Sequence, residues 1–341
     1  MIKQIITFLF LIALLFSFNQ AFTQKKDKKS QDVRVADTYF ENQEYFLAAD
    51  YYKKGLEENP QDPYANYMLA ECYRLYFDYD NAEKQYLKAT KLSMNEFPLA
   101  RFWYSMMLKS NGKYELAKLE FDGFLNEFRA LRPEDQKVKK EAEIERDGCI
   151  LALKELKKPV RNYQFKNLPD PVNSPSSEYA PNFYENDSSI IIASAREGTK
   201  GKETDTRLGE GFSDILRFKG NDRSWTEYPD SDNFSVINTI RNDGAGVFNH
   251  ERTKFYYTSC IEQDYPCAIY VSKLEEGEWT ESVRLNDNIN FRGYESKQPT
   301  LTIGGDTMIF VSDNPNGKGM NDLWFSVKTG DEDWQIDRNM G

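Results

Sequence analysis

The stretch Glu295-Ser296-Lys297-Gln298-Pro299-Thr300-Leu301-Thr302 leads through a turn at Gly304-Gly305-Asp306 into Met308-Ile309-Phe310-Val311-Ser312. A loop of Asn, Pro and Gly follows over 313–321, then Asp322-Leu323-Trp324-Phe325-Ser326-Val327-Lys328 and finally Trp334. Short β-rich runs broken by Gly, Asn and Asp predict antiparallel strands joined by hairpins. The same grammar occurs twice before. Phe255-Tyr256-Tyr257-Thr258-Ser259 leads to Ala268-Ile269-Tyr270-Val271-Ser272 and Trp279, and Ile190-Ile191-Ile192-Ala193-Ser194 leads to Asp214-Ile215-Leu216-Arg217-Phe218 and Trp225. Ile215 to Ile269 is 54 residues, Ile269 to Leu323 is 54, Trp225 to Trp279 is 54 and Trp279 to Trp334 is 55. A fixed period of this size in an all-β segment is the signature of propeller blades, and three are present.

The 341 residues suffice for two or three domains. Mean hydropathy is −0.72 and the net charge is −11. Residues 24–158 hold 24 Lys/Arg against 25 Asp/Glu, whereas 159–341 hold 19 against 30. The acidity belongs to the β half and argues against nucleic acid as a partner, since phosphates need a basic surface. The one basic cluster, Lys25-Lys26-Lys28-Lys29, reads as a solvated tail over 24–32.

Lys3 precedes a 14-residue, mostly apolar run over 5–18 and then Asn19-Gln20-Ala21-Phe22-Thr23-Gln24. As a helix this run spans about 21 Å, short of the roughly 30 Å hydrocarbon core. A basic start, a short apolar stretch and small residues at its exit predict a signal peptide over 1–23, cleaved after Thr23 or Ala21. Nothing later reads as a membrane span.

From Val33 the period becomes helical. Ala36, Tyr39, Ala48, Tyr52 and Gly55 return 34 residues later as Ala70, Tyr73, Ala82, Tyr86 and Ala89. Ser105, Leu108, Ala117, Phe121 and Phe124 lie 35 further on. Small residues let paired helices approach closely, and the aromatics fill the space between pairs. In period and key residues this resembles the tetratricopeptide repeat over 33–128. Residues 133–156 predict a closing helix with Ala142, Cys149, Leu153 and Leu156 on one face, so the helical domain runs over 33–158. A proline-rich linker over 159–178 separates it from the β domain at 179–341.

Little catalytic chemistry is legible. His250, the single histidine, sits in Asn249-His250-Glu251-Arg252, a hairpin turn, which excludes a multi-histidine metal site and suits no Ser-His-Asp arrangement. Asp313-Asn314-Pro315-Asn316-Gly317 lacks the alternating acids and distal Glu of a calcium loop. No phosphate-binding or dinucleotide fingerprint occurs. The sequence thus assigns no catalytic residue, no metal and no cofactor. Cys260 and Cys267, on either side of one tight loop, form a disulfide candidate in an exported protein. Cys72 and Cys149 are open to two readings, buried thiols or a second bridge. The Gly- and charge-rich insertion over 196–213 reads either as a tolerated loop or as a binding loop.

Val172-Asn173-Ser174 with Ser177-Glu178-Tyr179-Ala180-Pro181, Gly293-Tyr294-Glu295-Ser296 with Gln298-Pro299, and Phe310-Val311-Ser312-Asp313 with Asp322-Leu323-Trp324 resemble the repeat of TolB-type bacterial β-propellers. The order of signal peptide, tetratricopeptide repeats and propeller resembles periplasmic proteins that often end in an OmpA-like peptidoglycan-binding domain. It is similar to PorE-type subunits of the type IX secretion machinery. The chain departs from that pattern in having no lipid-attachment Cys near the leader and no OmpA-like segment. The fold expected is an α-solenoid followed by a partial β-propeller.

The resemblance implies a non-enzymatic scaffold in the periplasm, associated with the outer membrane, whose partners are envelope proteins and, through a further C-terminal domain, peptidoglycan. It also places a groove on Asp37, Phe40, Tyr64, Tyr67, Glu71, Arg74, Phe102, Met106 and Lys109, where the competing reading is that several of these aromatics only pack between helices. The alternatives are a glycan-active propeller enzyme and a periplasmic ligand-binding sensor. Because propellers close with roughly four to eight blades, the sequence is expected to be part of a longer chain. The alternating run 160–165 would suit the outer strand of a final blade, and 1–341 alone is expected to aggregate or dimerise.

Overall fold

In the first half of the chain, helix formation follows the 34-residue period. The structure, a computed structural model, describes residues 29–93, 95–158, 165–184, 188–201, 204–221, 224–228, 233–260, 267–335 and 338–341. The expected signal peptide, the start of the basic tail and the run 160–164 lie outside these residues. The chain divides into two units, Met1–Pro159 and Val160–Gly341.

Unit 1 holds α1 (Gln31–Glu41), α2 (Tyr45–Glu58), α3 (Pro63–Leu75), α4 (Tyr79–Ser93), α5 (Ala100–Ser110), α6 (Tyr114–Glu127) and α7 (Pro133–Glu155). Each helix packs on the next, and α7 also touches α5. Ser30 caps α1 by accepting from the Val33 amide at 3.3 Å. Asp62 caps α3 by accepting from the Ala65 amide at 3.1 Å, with Pro63 at the first helical position. The small residues Ala36, Ala48, Ala70, Ala82, Ala89, Ser105 and Ala117 are fully buried. A Cβ added at Gly55 would stand 2.5 Å from Val33 Cγ2, so α1 and α2 touch where only glycine fits.

The turn inside each hairpin is the same object three times. Gln43, Phe77 and Gly112 adopt φ of 65°, 69° and 72°. Their amides donate to the carbonyls of Phe40, Arg74 and Lys109 at 3.0, 3.3 and 3.0 Å, and the next amides donate to Tyr39, Tyr73 and Leu108 at 2.9, 2.8 and 2.9 Å. This left-handed closure satisfies the last helical carbonyls.

Among its described residues unit 2 holds three antiparallel meanders. The first is β1 (Glu178–Tyr184), β2 (Ser189–Ser194), β3 (Asp214–Gly220) and β4 (Trp225–Glu227). The second is β5 (Asn242–Phe248), β6 (Lys254–Cys260), β7 (Ala268–Glu275) and β8 (Glu278–Trp279), with β9 (Val283–Arg284) also pairing β7. The third is β10 (Ser296–Leu301), β11 (Thr307–Ser312), β12 (Asp322–Val327) and β13 (Arg338–Asn339). The first strand of each sheet carries a one-residue bulge at an equivalent register, between Tyr179 and Asn182, Gly244 and Val247, and Lys297 and Thr300. Ala180, Ala245 and Gln298 take the left-handed conformation there, with φ of 51°, 47° and 54°.

The sheets stack face to face, and a short segment entering each sheet fills the layer. Phe234 and Ile237 lie among Ile191 and Ile215 of the first sheet and Phe255, Tyr257 and Trp279 of the second. Leu285 and Ile289 lie among Tyr256, Ile269 and Val271 of the second and Met308, Phe310 and Trp324 of the third. Burying each such side chain is worth about 1.5–3 kcal/mol. Leu168 and Val172 pack in the same way on Ile190, Ile192 and Phe218 of the first sheet. The segment 168–173, read from the sequence as linker, thus belongs to the sheet layers.

The loop between second and third strands is tied down differently in each sheet. Asp214 accepts from the Lys200 amide at 2.8 Å, and Asp322 accepts from the Gly319 amide at 3.1 Å and from the Lys318 amide. In the middle sheet the Cys260–Cys267 disulfide spans the same place. The hairpin turns offer a direct check, because Phe77 holds its left-handed conformation with its ring 64% exposed. Phe77→Gly should stabilise the protein by about 0.5–1 kcal/mol, read as a higher midpoint of thermal unfolding.

Candidate functional site

The repeat aligns Asp37, Glu71 and Met106 at one position of α1, α3 and α5, and Phe40, Arg74 and Lys109 at another. Asp37 accepts from Tyr52 Oη at 2.7 Å, Tyr64 Oη at 2.8 Å and Lys29 Nζ at 2.7 Å. One repeat on, Glu71 accepts from Tyr86 Oη at 2.5 Å and Arg74 Nη2 at 2.5 Å. Burial first, and the carboxylate second, push the Tyr86 hydroxyl far above its usual range, so it stays protonated and donates. In the third repeat Met106 and Phe121 occupy the acid and tyrosine positions, and an apolar pair replaces the hydrogen bond.

Two members of the expected groove, Phe102 at 2% exposure and Glu71 at 8%, are taken up by the fold. Phe40, Tyr64, Tyr67, Arg74, Met106 and Lys109 are half-buried. Tyr67 stacks on Phe97 at 4.5 Å between ring centroids, and the Arg74 guanidinium lies 4.0 Å over the Trp103 ring. Lys29 Nζ sits 3.6 Å over the Tyr64 ring, and Lys109 pairs with Glu145 of α7. The row therefore presents aromatic and methionine surface whose charges are matched within the chain. Sequence reasoning missed Phe97 and Trp103 and the acid–tyrosine pairing, although Asp37 to Glu71 and Tyr52 to Tyr86 share the offset of 34.

In unit 2 polar groups gather where the first strands begin. Arg196 donates to the carbonyls of Pro171 and Val172 at 2.7 Å each and to Ser194 Oγ at 2.8 Å, and pairs with Glu178 at 3.2 Å. Lys200 Nζ donates to the carbonyls of Ser235 and Asn238 at 2.7 and 2.9 Å. The insertion is thus fastened at its base, where it borders a cleft of about 330 Å³ lined also by Arg217, Glu227 and Tyr228. The Arg217 guanidinium lies 4.5 Å from the Tyr184 ring and 3.7 Å from that of Tyr228.

Asp243 is fully buried, with Thr239 donating to Oδ2 from its amide at 2.6 Å and its hydroxyl at 2.8 Å. Burial pushes its pKa up to about 6, and the nearby Ser259 hydroxyl, followed by the Thr239 donors, offsets only part of that.

His250 is exposed in its turn. Cys72 and Cys149 are buried free thiols, and burial pushes both upward. Among the described residues no group of three or more His, Cys, Asp and Glu is placed to hold a metal, and no helix is long and apolar enough to cross a membrane.

Two measurements follow. Glu71→Met and Tyr86→Phe should each cost about 1–3 kcal/mol, since each strands a buried polar partner. The double variant, which copies Met106 and Phe121, should cost less than the sum in a double-mutant cycle. For Asp243 the folded pKa lies above the ordinary 3.8, so between about 4 and 6 the native state holds a proton that the unfolded chain has lost. Stability contributed by this group should therefore fall as pH rises through that window, by on the order of 2–3 kcal/mol. Asp243→Asn should flatten that part of the denaturation profile.

No protein-family model matches the chain, and no curated protein matches it. Among solved structures it is similar to the first tetratricopeptide domain of Spaghetti (RPAP3) bound to the HSP90 peptide SRMEEVD. That likeness is 21% identical, covers 33% of this chain and 90% of that one, and has a TM-score of 0.29. The chain is also similar to the Sgt2 tetratricopeptide domain from Aspergillus fumigatus, at 15% identity over 42% of this chain and 92% of that one, with a TM-score of 0.32.

Proposed function

We propose that the chain is a non-enzymatic protein–protein interaction scaffold whose helical unit, built as tetratricopeptide-like hairpins, holds a segment of a partner protein. The observation that carries this reading is the half-buried row on α1, α3 and α5 and on the turn that enters α5. Tyr64, Tyr67, Phe97 and Trp103 give large contact area with few rotamers to freeze, and Arg74 lies on the last of them. Since Asp37, Arg74 and Lys109 already have opposite charges against them, the partner segment suited to this surface is apolar or aromatic at spaced positions. In this reading the three meanders are blades of a TolB-like propeller. The leader sends the protein to the periplasm, where it serves at the outer membrane among envelope proteins, in type IX secretion or in tethering to peptidoglycan. A second reading, a ligand-binding sensor, is favoured by the cleft of about 330 Å³ at Arg196, Lys200 and Arg217.

Quantitative pull-down from envelope extracts separates these. Tyr67→Ala should lower capture of specific envelope proteins about tenfold, the effect of losing one interface anchor of ~1.4 kcal/mol. Phe102→Ala should instead lower the thermal midpoint, as expected for a core residue worth about 3–5 kcal/mol. Unchanged capture by a folded Tyr67→Ala protein would reject the row as the binding surface. Small-ligand binding lost in Arg217→Ala would favour the sensor.

A further inference from the structure

We propose that unit 2 binds a small carboxylic acid with an apolar body, in a cleft of about 520 Å³ bordered by Lys200 and Arg241. This site does not rest on the helical row. It also differs from the cleft at Arg196 and Arg217, with which it shares only Lys200 and residues of the segment that enters the second sheet.

Val236, Ile237 and Ile240 give the cleft apolar surface, and Tyr257 and Tyr270 of the second sheet give it rings. Tyr257 Oη donates to the Ile237 carbonyl at 3.0 Å, which ties these two sides together. Lys200 Nζ is held by the carbonyls of Ser235 and Asn238, and Arg241 Nη1 donates to Tyr270 Oη at 3.3 Å. All of these partners are neutral. Among the described residues neither cation forms an ion pair, whereas Arg196 pairs with Glu178 at 3.2 Å and Glu227 at 3.6 Å. Glu281, the acid among the lining residues, is exposed. Asp243, buried nearby, already takes the amide and the hydroxyl of Thr239.

The repeat does not ask for an arginine at this place. Glu178, Asp243 and Ser296 are equivalent, each facing a serine of the second strand, Ser194, Ser259 and Ser312. Two residues before them stand Ser176, Arg241 and Tyr294. Of these three entries the second alone carries a cation, in a half of the chain where 30 Asp/Glu outnumber 19 Lys/Arg.

A guanidinium presents a planar fork of donors that matches a carboxylate, and an ammonium beside it adds a point charge. The acidic surroundings repel a dianion more than a monoanion. Apolar and aromatic walls reward a body that sheds water, while a few polar groups fix its orientation. Together these select a monocarboxylate with an apolar body over a phosphate.

Ligand-observed NMR titration of the full chain tests this with benzoate, 3-phenylpropionate and N-acetylphenylalanine, each beside its primary amide, and with inorganic phosphate. At least one acid should bind saturably in the millimolar range or tighter, and its amide about tenfold or more weakly. Arg241→Gln should cost that acid about tenfold or more, and Arg241→Lys, which keeps the charge without the fork, should cost less. Lys200→Gln should also weaken it, whereas Lys219→Gln, at an exposed position of β3, should not. An unchanged thermal midpoint in each variant shows that the fold is intact. The site would be overturned if no acid bound, if amides or phosphate bound as tightly, or if folded Arg241→Gln kept full affinity. Binding lost in Arg217→Ala but kept in Arg241→Gln would place the acid in the neighbouring cleft and equally overturn it. Variants of the helical row that lose partner capture would leave these titrations untouched.

Discussion

A four-stranded antiparallel sheet with apolar side chains on both faces cannot stand alone in water. It must be covered twice, and the second unit depends on that constraint. Ile191 and Ile215 on one sheet, and Phe255 and Tyr257 on the next, are buried only because Phe234 and Ile237 fill the layer between them. The covering segments also bring Asn238 and Asn290, each of which accepts from the amide and donates to the carbonyl of one residue of the third strand, Ile215 and Ile269. Apolar burial supplies the driving force and is indifferent to register. The bidentate asparagine fixes the register, because a shift of one residue would leave a buried amide and carbonyl without partners.

The helical unit meets the same requirement by another route. A pair of helices buries only one stripe of each, so pairs stack, and small residues at the crossings set the distance. A polar position at the heart of two repeats is tolerated because a buried tyrosine donates to a carboxylate. Where the third repeat has Met106 and Phe121, the same space is filled without a hydrogen bond. Repeats can exchange one solution for the other because the volumes are similar and the acid and the tyrosine that donates to it, Asp37 with Tyr52 or Glu71 with Tyr86, lie in the same repeat. The repeated geometry leaves its charges neutralised within the chain and its aromatic rings half-buried.

Equivalent loops in the sheets show the same freedom. Asp214 and Asp322 hold their loops by accepting backbone amides, and the middle sheet uses a covalent bond between Cys260 and Cys267. Each fixes the start of the third strand, and in the first two sheets the next sheet takes a backbone hydrogen bond there, at Ser213 and Cys267, so a loop constraint becomes a stacking constraint.

The periods of 34 and 54 residues, the hairpin boundaries and the closing helix were legible in the sequence, because they follow from the spacing of apolar, small and turn-forming residues along the chain. The turns at Gln43 and Phe77 were not, since only Gly112 carries the residue that signals a left-handed turn. The role of 168–173 was hidden by its prolines, whose local preference suggests a linker. The groove positions came from the resemblance to the tetratricopeptide repeat, which fixes a place along each helix but not its burial. Tertiary packing alone decided that Phe102 and Glu71 lie inside and that Phe97 and Trp103 join the surface. Periodicity tells which helix face a residue occupies, whereas burial depends on which neighbour the next hairpin sets against that face.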